Sequence, residues 1–334
     1  MDLKIGVIGT GGIGRDHIRR LTDVVTGAKV VAVSDINEDT AKKVAQKYGA
    51  KFYKSGEEVI HSDEVDAVVI TSWDPTHAGY VLESIRQGKY VFCEKPLATT
   101  AKECEDIIKA ETKFGKRLVQ VGFMRRFDRG YRALKQTIES GKLGSPLMIH
   151  ACHRNLTHIP SHTTDMTITN SGIHEIDISH WLLGEDYESG QVLTVKQNKN
   201  SSDKLLDPQI MLLKTKSGVR IDVEVNMSSG YGYDIQCEVV CEKGTVRLPD
   251  PNTVLMRYNC QRSYEIYEDW SQRFIEAYDI EFQEWVNSVK NNRLAGPSSW
   301  DGYIACVTAD SLIRSRNEGK AQTINVGEQP EFYK

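Results

Sequence analysis

Four groups of residues have the types and spacing to do chemistry. In "GVIGTGGIG" the glycines Gly9, Gly11 and Gly14 follow a G-x-G-x-x-G pattern directly after an apolar strand-like run and open a helical segment. There Gly9 permits a tight turn, Gly11 lets backbone N–H groups approach a pyrophosphate, and Gly14 allows close helix packing. Asp35 closes the next apolar run about twenty residues on, where a carboxylate accepts hydrogen bonds from an adenosine ribose. It would repel a 2'-phosphate, and "DIN" offers no Arg or Lys in exchange, so the pattern favours NAD over NADP. As a lone residue, Asp35 also reads as a loop or cap side chain.

The third group is "FCEKPLATT", which places Glu94, Lys95 and Pro96 at the end of a predicted parallel strand, the edge at which open α/β sheets bind ligands. A lysine there can stabilise alkoxide character on a substrate oxygen. By itself it also reads as one more solvated surface lysine. The fourth is "ITNSGIHEIDISHW", residues 168–181. At 100° per residue Asn170, His174, Asp177 and Trp181 fall within an arc of about 60°. Ile173 and Ile178 flank that arc, and Glu175 and Ser179 lie roughly opposite. A polar stripe between isoleucines points inward, so its imidazole and carboxylate must be paired, hydrated or facing a ligand. A structural network and a functional site satisfy that condition equally. Histidine, with a reference pKa near 6.5, suits His174 to accept a proton at neutral pH.

The elements that position these groups follow from the hydrophobic pattern. Up to residue 123, short Val/Ile-rich runs ("LKIGVIG", "AKVVAVSD", "VDAVVITS", "KYVFCE", "RLVQVGF") alternate with helical segments. That alternation predicts a doubly wound α/β domain with a buried parallel sheet over residues 1–123. Residues 124–334 change character, with strand-like runs such as "QIMLLKT", "VRIDVEVNM" and "GYDIQCEVVCE" following one another without helices between them. They predict an α+β domain with a large open sheet, paired chiefly antiparallel, one of whose faces needs a partner subunit as cover. Two late segments, "RFIEAYDIEFQEWVNSVKNN" and "SWDGYIACVTADSLIRSRNEG", read as helices, the second capped by Gly319.

Composition narrows the function classes. The 334-residue chain carries a net charge of -4 and no long basic run, which argues against nucleic acid as a partner. No apolar run approaches the ~20 residues of a membrane helix, so a cytoplasmic protein is expected. The seven cysteines read as reduced core thiols. Cys237 and Cys241 would stand about 13 Å apart on a strand, too far for a metal pair, and no metal site is expected.

Taken in order, "GVIGTGGIGRDHI", "EKPLATT", "QVGFMRR", "HEIDISHW" and "GYDIQCE" resemble the Gfo/Idh/MocA oxidoreductases, and among them the bacterial inositol dehydrogenases, nearly end to end. The resemblance implies a Rossmann domain, a C-terminal domain on an open mixed or antiparallel sheet, a homotetramer, and NAD-dependent oxidation of a ring hydroxyl of a cyclic polyol. It puts the family's lysine on Lys95 and its catalytic histidine on His174. Arg125, His153, Asn155, Asp177 and Tyr233 fall where such enzymes line the polyol pocket, and Gly9, Gly11, Gly12, Ile13, Gly14, Asp35, Ser72, His77, Glu94 and Lys95 become the cofactor-facing set. One position departs from the pattern. Asn170 stands where the family has an aspartate four residues before the histidine, which keeps the size and hydrogen bonding but loses the charge and adds a donor. That change implies an altered stereochemical preference, with scyllo-inositol as the alternative to myo-inositol. Other readings of the same resemblance are a dehydrogenase of another cyclic polyol or pyranose, an NAD-dependent glycosidase, and, last, an NAD-binding regulator.

Overall fold

The structure is a computed structural model describing residues 1–250 and 254–334. The chain divides into two compact units. One comprises Met1–Phe123, Tyr278–Cys306 and Gly327–Lys334, and the other Met124–Ala277 and Val307–Val326. A single cut after residue 123 therefore does not separate them, because two late segments belong to the first unit.

The first unit holds a six-stranded sheet of β1 (Leu3–Ile8), β2 (Ala28–Ser34), β3 (Lys51–Phe52), β4 (Ala67–Ile70), β5 (Tyr90–Glu94) and β6 (Val119–Gly122). Its order is β3-β2-β1-β4-β5-β6, and every pairing is parallel, which is the Rossmann arrangement. Between the strands run α1 (Gly12–Asp23), α2 (Glu38–Tyr48), α3 (Gly56–His61), α4 (His77–Arg86) and α5 (Ala101–Phe114). The strands are apolar without alternation because both faces are covered, and all four residues of β4 are buried. Side chains cap α2 (Asn37), α3 (Ser55) and α5 (Thr100, in a capping box with Glu103). Helix α1 starts instead at Gly11, with no side-chain cap and no acidic residue in its first turn.

The late segments join this unit through apolar side chains. Phe282, Trp285, Val286, Val289 and Leu294 are buried in one cluster with Ile5, Val7, Ile18, Leu21 and Phe92. Elsewhere in the unit, Tyr333 and Ser299 each donate to Glu111 Oε2 at 2.7 Å, and Glu111 Oε1 accepts from the Leu118 and Val119 backbone N–H groups.

The second unit is built on β7 (Pro146–Arg154), β8 (Tyr187–Thr194), β9 (Gln209–Thr215), β10 (Arg220–Asn226), β11 (Asp234–Cys241) and β12 (Gly244–Arg247), with β13 (Leu255–Tyr258) and β14 (Gln261–Tyr264) as a separate hairpin and β15 (Gln322–Thr323) on the edge. Its seven-stranded sheet runs β12-β11-β7-β10-β9-β8-β15. Antiparallel pairing dominates, but the sheet is mixed, since β7 pairs parallel with β10 at its centre. Burial alternates along β9 and β11, as one covered face requires. Helices α6 (Arg129–Glu139) and α7 (Ile173–Leu183) complete the unit, and α8 (Trp270–Arg273), α9 (Ile275–Lys290) and α10 (Ser299–Glu318) follow. Gly319 ends α10 in the left-handed conformation, φ +68°, with its N–H on Ser315 O. Six cysteines are buried, but Cys260 lies exposed at the tip of the β13–β14 hairpin, so the expectation of core thiols fails there. No helix among the described residues is long and apolar enough to cross a membrane.

Candidate active site

The glycine loop is shaped by contacts that only glycine satisfies. At Gly9 φ is +100°, and a Cβ would stand 2.5 Å from Thr71 O. At Gly14 a Cβ would stand 2.2 Å from Gly9 O, so the loop and α1 touch through bare backbone. At Gly11 and Gly12 nothing lies within 4 Å of that position. The first turn of α1, with Ile13 in it, thus presents uncapped N–H groups to open space, as a dinucleotide phosphate requires. Asp35 follows β2 directly. Its Oδ2 accepts from the Thr10 backbone N–H and from Thr10 Oγ1 (3.0 Å), and its Oδ1 from the Asn37 N–H (2.8 Å), which fixes the carboxylate beside the loop. Oδ1, which accepts one bond, can accept a further one. These residues fit NAD.

At the ends of β4 and β5 the same unit gathers Ser72, His77, Glu94 and Lys95. His77 is buried, with Nδ1 2.7 Å from Pro96 O and Nε2 3.1 Å from Ser72 O, and Ser72 Oγ pairs with Thr76 Oγ1 at 2.6 Å. His77 thereby ties the loop after β4 to the backbone after Lys95. The Glu94 carboxylate turns inward to His17 Nε2 at 2.8 Å. Lys95 is half-buried.

In the second unit, the stretch 168–181 is not one regular α-helix. Thr167–Gly172 form a π-helical turn, and the α-helix proper starts at Ile173. Asn170 lies in the wide turn and His174 in the regular one, so a step of 100° per residue does not carry across the junction. Gly172 belongs to this junction, since a Cβ there would stand 2.8 Å from Met211 Cε. Nor is there a single inward stripe, because every residue from Ile173 to Ser179 is buried.

This corrects the placement of Glu175. Expected opposite the polar arc, it is 1% exposed and pairs with two site residues, the Arg125 guanidinium and His153 Nδ1 (2.9 Å). Burial raises its carboxyl, but the charge of Arg125 and the contacts with His153 outweigh burial and hold it below the usual carboxylate range. Arg125, 1% exposed, lies over the Phe274 ring at 5.5 Å. Among the buried polar atoms with no hydrogen-bond partner in the described residues are Arg125 Nε, a donor, and Asn155 Oδ1, an acceptor just after β7.

The His153 ring centroid stands 6.4 Å from that of His174 and 5.8 Å from that of Tyr233. Burial pushes the Tyr233 phenol up to about 12, which keeps it a neutral hydroxyl. Arg125, His153, His174 and Tyr233 therefore come together, from the segment after β6, from β7, from α7 and from the segment before β11. Asp177 behaves differently. Its two oxygens accept from Arg126 Nε (3.0 Å) and Nη2 in a bidentate pair, which fixes the carboxylate from a residue the sequence does not place beside it. Glu175 was hidden because the helix is buried all round rather than along one stripe, yet a signal existed: a buried Arg125 demands a buried anion, and "HEID" holds a glutamate among apolar residues.

Comparison with known proteins agrees with this geometry. Residues 3–123 match the Gfo/Idh/MocA "Oxidoreductase family, NAD-binding Rossmann fold", and residues 135–326 its "C-terminal alpha/beta domain". Over 100% of both chains the sequence is 53% identical to an inositol 2-dehydrogenase of Burkholderia cenocepacia, and it is 53% identical to that of Azotobacter vinelandii, over 100% of this chain and 99% of the other. The crystal structure of myo-inositol dehydrogenase from Lactobacillus casei, in complex with NAD(H) and myo-inositol, superposes with a TM-score of 0.97 at 40% identity over 100% of each chain. Scyllo-inositol dehydrogenase from the same organism, at 23% identity with 97% of this chain and 99% of the other covered and a TM-score of 0.90, shares the fold. With both family domains matched in order and 53% identity to relatives over the full chain, the chain belongs to the Gfo/Idh/MocA oxidoreductase family.

Proposed function

We propose that the chain is an NAD-dependent inositol dehydrogenase that oxidises one ring hydroxyl to a ketone. The observation that carries this reading is the full-length likeness to an enzyme crystallised with both NAD(H) and myo-inositol. Bound NAD supplies the hydride acceptor. The chain's own residues bind, orient and move the proton. Gly9, Gly11, Gly12, Ile13 and Gly14 hold the pyrophosphate through backbone N–H groups, and Asp35 binds the ribose, which selects NAD. His174 removes the hydroxyl proton, and Lys95 as ammonium donates to the same oxygen and stabilises its developing charge. Arg125, His153, Asn155 and Tyr233 bind the remaining hydroxyls. The buried donor Arg125 Nε and acceptor Asn155 Oδ1 support that assignment, because such groups cost free energy unless a ligand satisfies them. Asp177, held in place by Arg126, binds a further substrate hydroxyl.

Asn170, in the π turn before His174, is proposed to bias the choice between myo- and scyllo-inositol. A homotetramer and a cytoplasmic location complete the reading, and the exposed Val254, Leu255, Met256, Tyr258 and Tyr264 around the β13–β14 hairpin support self-association. Light scattering of the purified chain tests the assembly.

The decisive test follows NADH absorbance over myo-inositol, scyllo-inositol and glucose with NAD and NADP. Lys95→Ala and His174→Ala should each lower turnover by about 10² or more while sparing NAD binding. Near-normal turnover in either rejects its role. Asn170→Asp should change the ratio of the two inositol rates, and an unchanged ratio rejects its part in isomer choice.

A further inference from the structure

Behind the glycine loop lies a set of buried ionisable groups that the hydride-transfer chemistry does not use. His17, on α1, is wholly buried among Phe92, Tyr278 and Phe282, with ring centroids at 6.0, 5.4 and 4.5 Å. Its Nε2 stands 2.8 Å from Glu94 Oε1, and its Nδ1 2.8 Å from Arg20 Nη1. Arg20, 1% exposed, is also held by Asp16 and Asp279, each at 2.7 Å. An arginine can only donate, so Nδ1 accepts and the ring proton sits on Nε2, from which it is donated to Glu94. Burial pushes the imidazole down, which keeps it neutral.

Glu94 is the last residue of β5 and also accepts from the Lys95 backbone N–H at 3.2 Å. On β6 the chain leaves room for it, since a Cβ on Gly122 would stand 3.2 Å from its carboxyl carbon. Burial raises the Glu94 carboxyl, but the His17 hydrogen bond and the neighbouring Lys95 charge outweigh burial and hold it below the usual range.

The geometry points to His17 as a positioning residue for Lys95, acting through Glu94. The hydrogen bond from α1 holds Glu94 in place as an anion, and the anion beside Lys95 holds that side chain as the ammonium that stabilises the alkoxide. The inference rests on the role proposed above for Lys95. It also links the helix that meets the cofactor phosphates to the lysine that meets the substrate. The other charged or titratable groups packed here are Arg20 and Asp16 on α1, Tyr278 and Asp279 on α9, Cys93 on β5 and Asp74 before α4. Arginine does not deprotonate in proteins, and burial, Glu94 and Asp74 push the Cys93 thiol well up, so neither group accounts for a change near neutrality.

The sign of the test follows. Without the His17 N–H, Glu94 takes up a proton, and Lys95 without its anion releases one at lower pH. The alkaline limb of the kcat profile should therefore move down by about 1 pH unit, the low end for an opposite charge at this range. The variants are His17→Leu, which removes the donor; Glu94→Gln, which removes the charge and keeps the shape; and His17→Gln, which restores an N–H. We expect the shift in His17→Leu and in Glu94→Gln, no further shift in the double variant, and the wild-type limb in His17→Gln. Should His17→Leu not fold, Glu94→Gln carries the test. An alkaline limb in Glu94→Gln that coincides with wild type overturns the inference. Lys95→Ala separates the two claims: near-normal turnover there removes the premise, whereas an inactive Lys95→Ala beside an unmoved Glu94→Gln profile leaves the premise and refutes His17.

Discussion

Replacing Glu175 by leucine removes the carboxylate that Arg125 and His153 share and strands a buried guanidinium. Breaking one side of a buried pair costs about 3–5 kcal/mol, because the remaining charge keeps its desolvation penalty and loses its partner. For a unit of this size each kcal/mol lowers the melting temperature by about 2–4 °C, so Glu175→Leu should melt about 6–20 °C below wild type. The assay is the thermal transition followed by circular dichroism on the full chain at pH 7, with Arg125→Met/Glu175→Leu in parallel. The double variant carries no stranded charge and should recover most of the loss. The pH dependence gives a second readout. Since the folded carboxyl lies below its ordinary value of about 4.3, its stabilisation is complete above that pH and lost as the pH falls through the folded value. Wild type should therefore lose stability in acid more steeply than Glu175→Gln. A Glu175→Leu transition within about 2 °C of wild type, or a double variant no better than the single, would refute the reasoning.

Three further outcomes follow from the same geometry. Asp35→Ala should weaken NAD binding about tenfold, roughly 1.4 kcal/mol, and narrow the preference over NADP, as read by titration of cofactor fluorescence; an unchanged NAD:NADP ratio contradicts the role given to Asp35. Gly14→Ala places a methyl group 2.2 Å from Gly9 O, so it should abolish NAD binding or lower the melting temperature of the first unit; normal affinity with normal melting contradicts the close approach. Tyr333→Phe removes a 2.7 Å hydrogen bond to the buried Glu111 and should cost about 1.5–3 kcal/mol in denaturant unfolding, as bonds to charged groups do; a loss below about 0.5 kcal/mol means the carboxylate has found another donor.

The parallel sheet was legible because its signals are local. Strands buried on both faces read as unbroken apolar runs, and the glycine spacing, Asp35 and Lys95 all sit at strand ends that the same runs define. What escaped depended on phase or on distant pairing. The π turn at Thr167–Gly172 breaks the 100° step, so counting residues puts Asn170 in the wrong register with His174, and Glu175 reads as an outward residue although the helix is buried on all sides from Ile173 to Ser179. Nothing local to Asp177 announces that Arg126, 51 residues earlier, donates to both its oxygens. The parallel β7–β10 pair at the centre of the second sheet joins strands that the sequence separates by two others. His17 gave no signal at all, since a histidine inside an amphipathic helix is silent until the strand it faces is known.

The return of the chain to its first unit separates the order of synthesis from the order of completion. When residue 123 leaves the ribosome all six strands of the Rossmann sheet exist, but the apolar surface at Ile5, Leu21 and Phe92 still awaits Phe282, Trp285 and Val286. The buried Glu111 carboxylate awaits Ser299 and Tyr333. A domain begun early is thus finished only by residues translated after most of the second unit, and the nascent chain must carry an open apolar face through the synthesis of everything between.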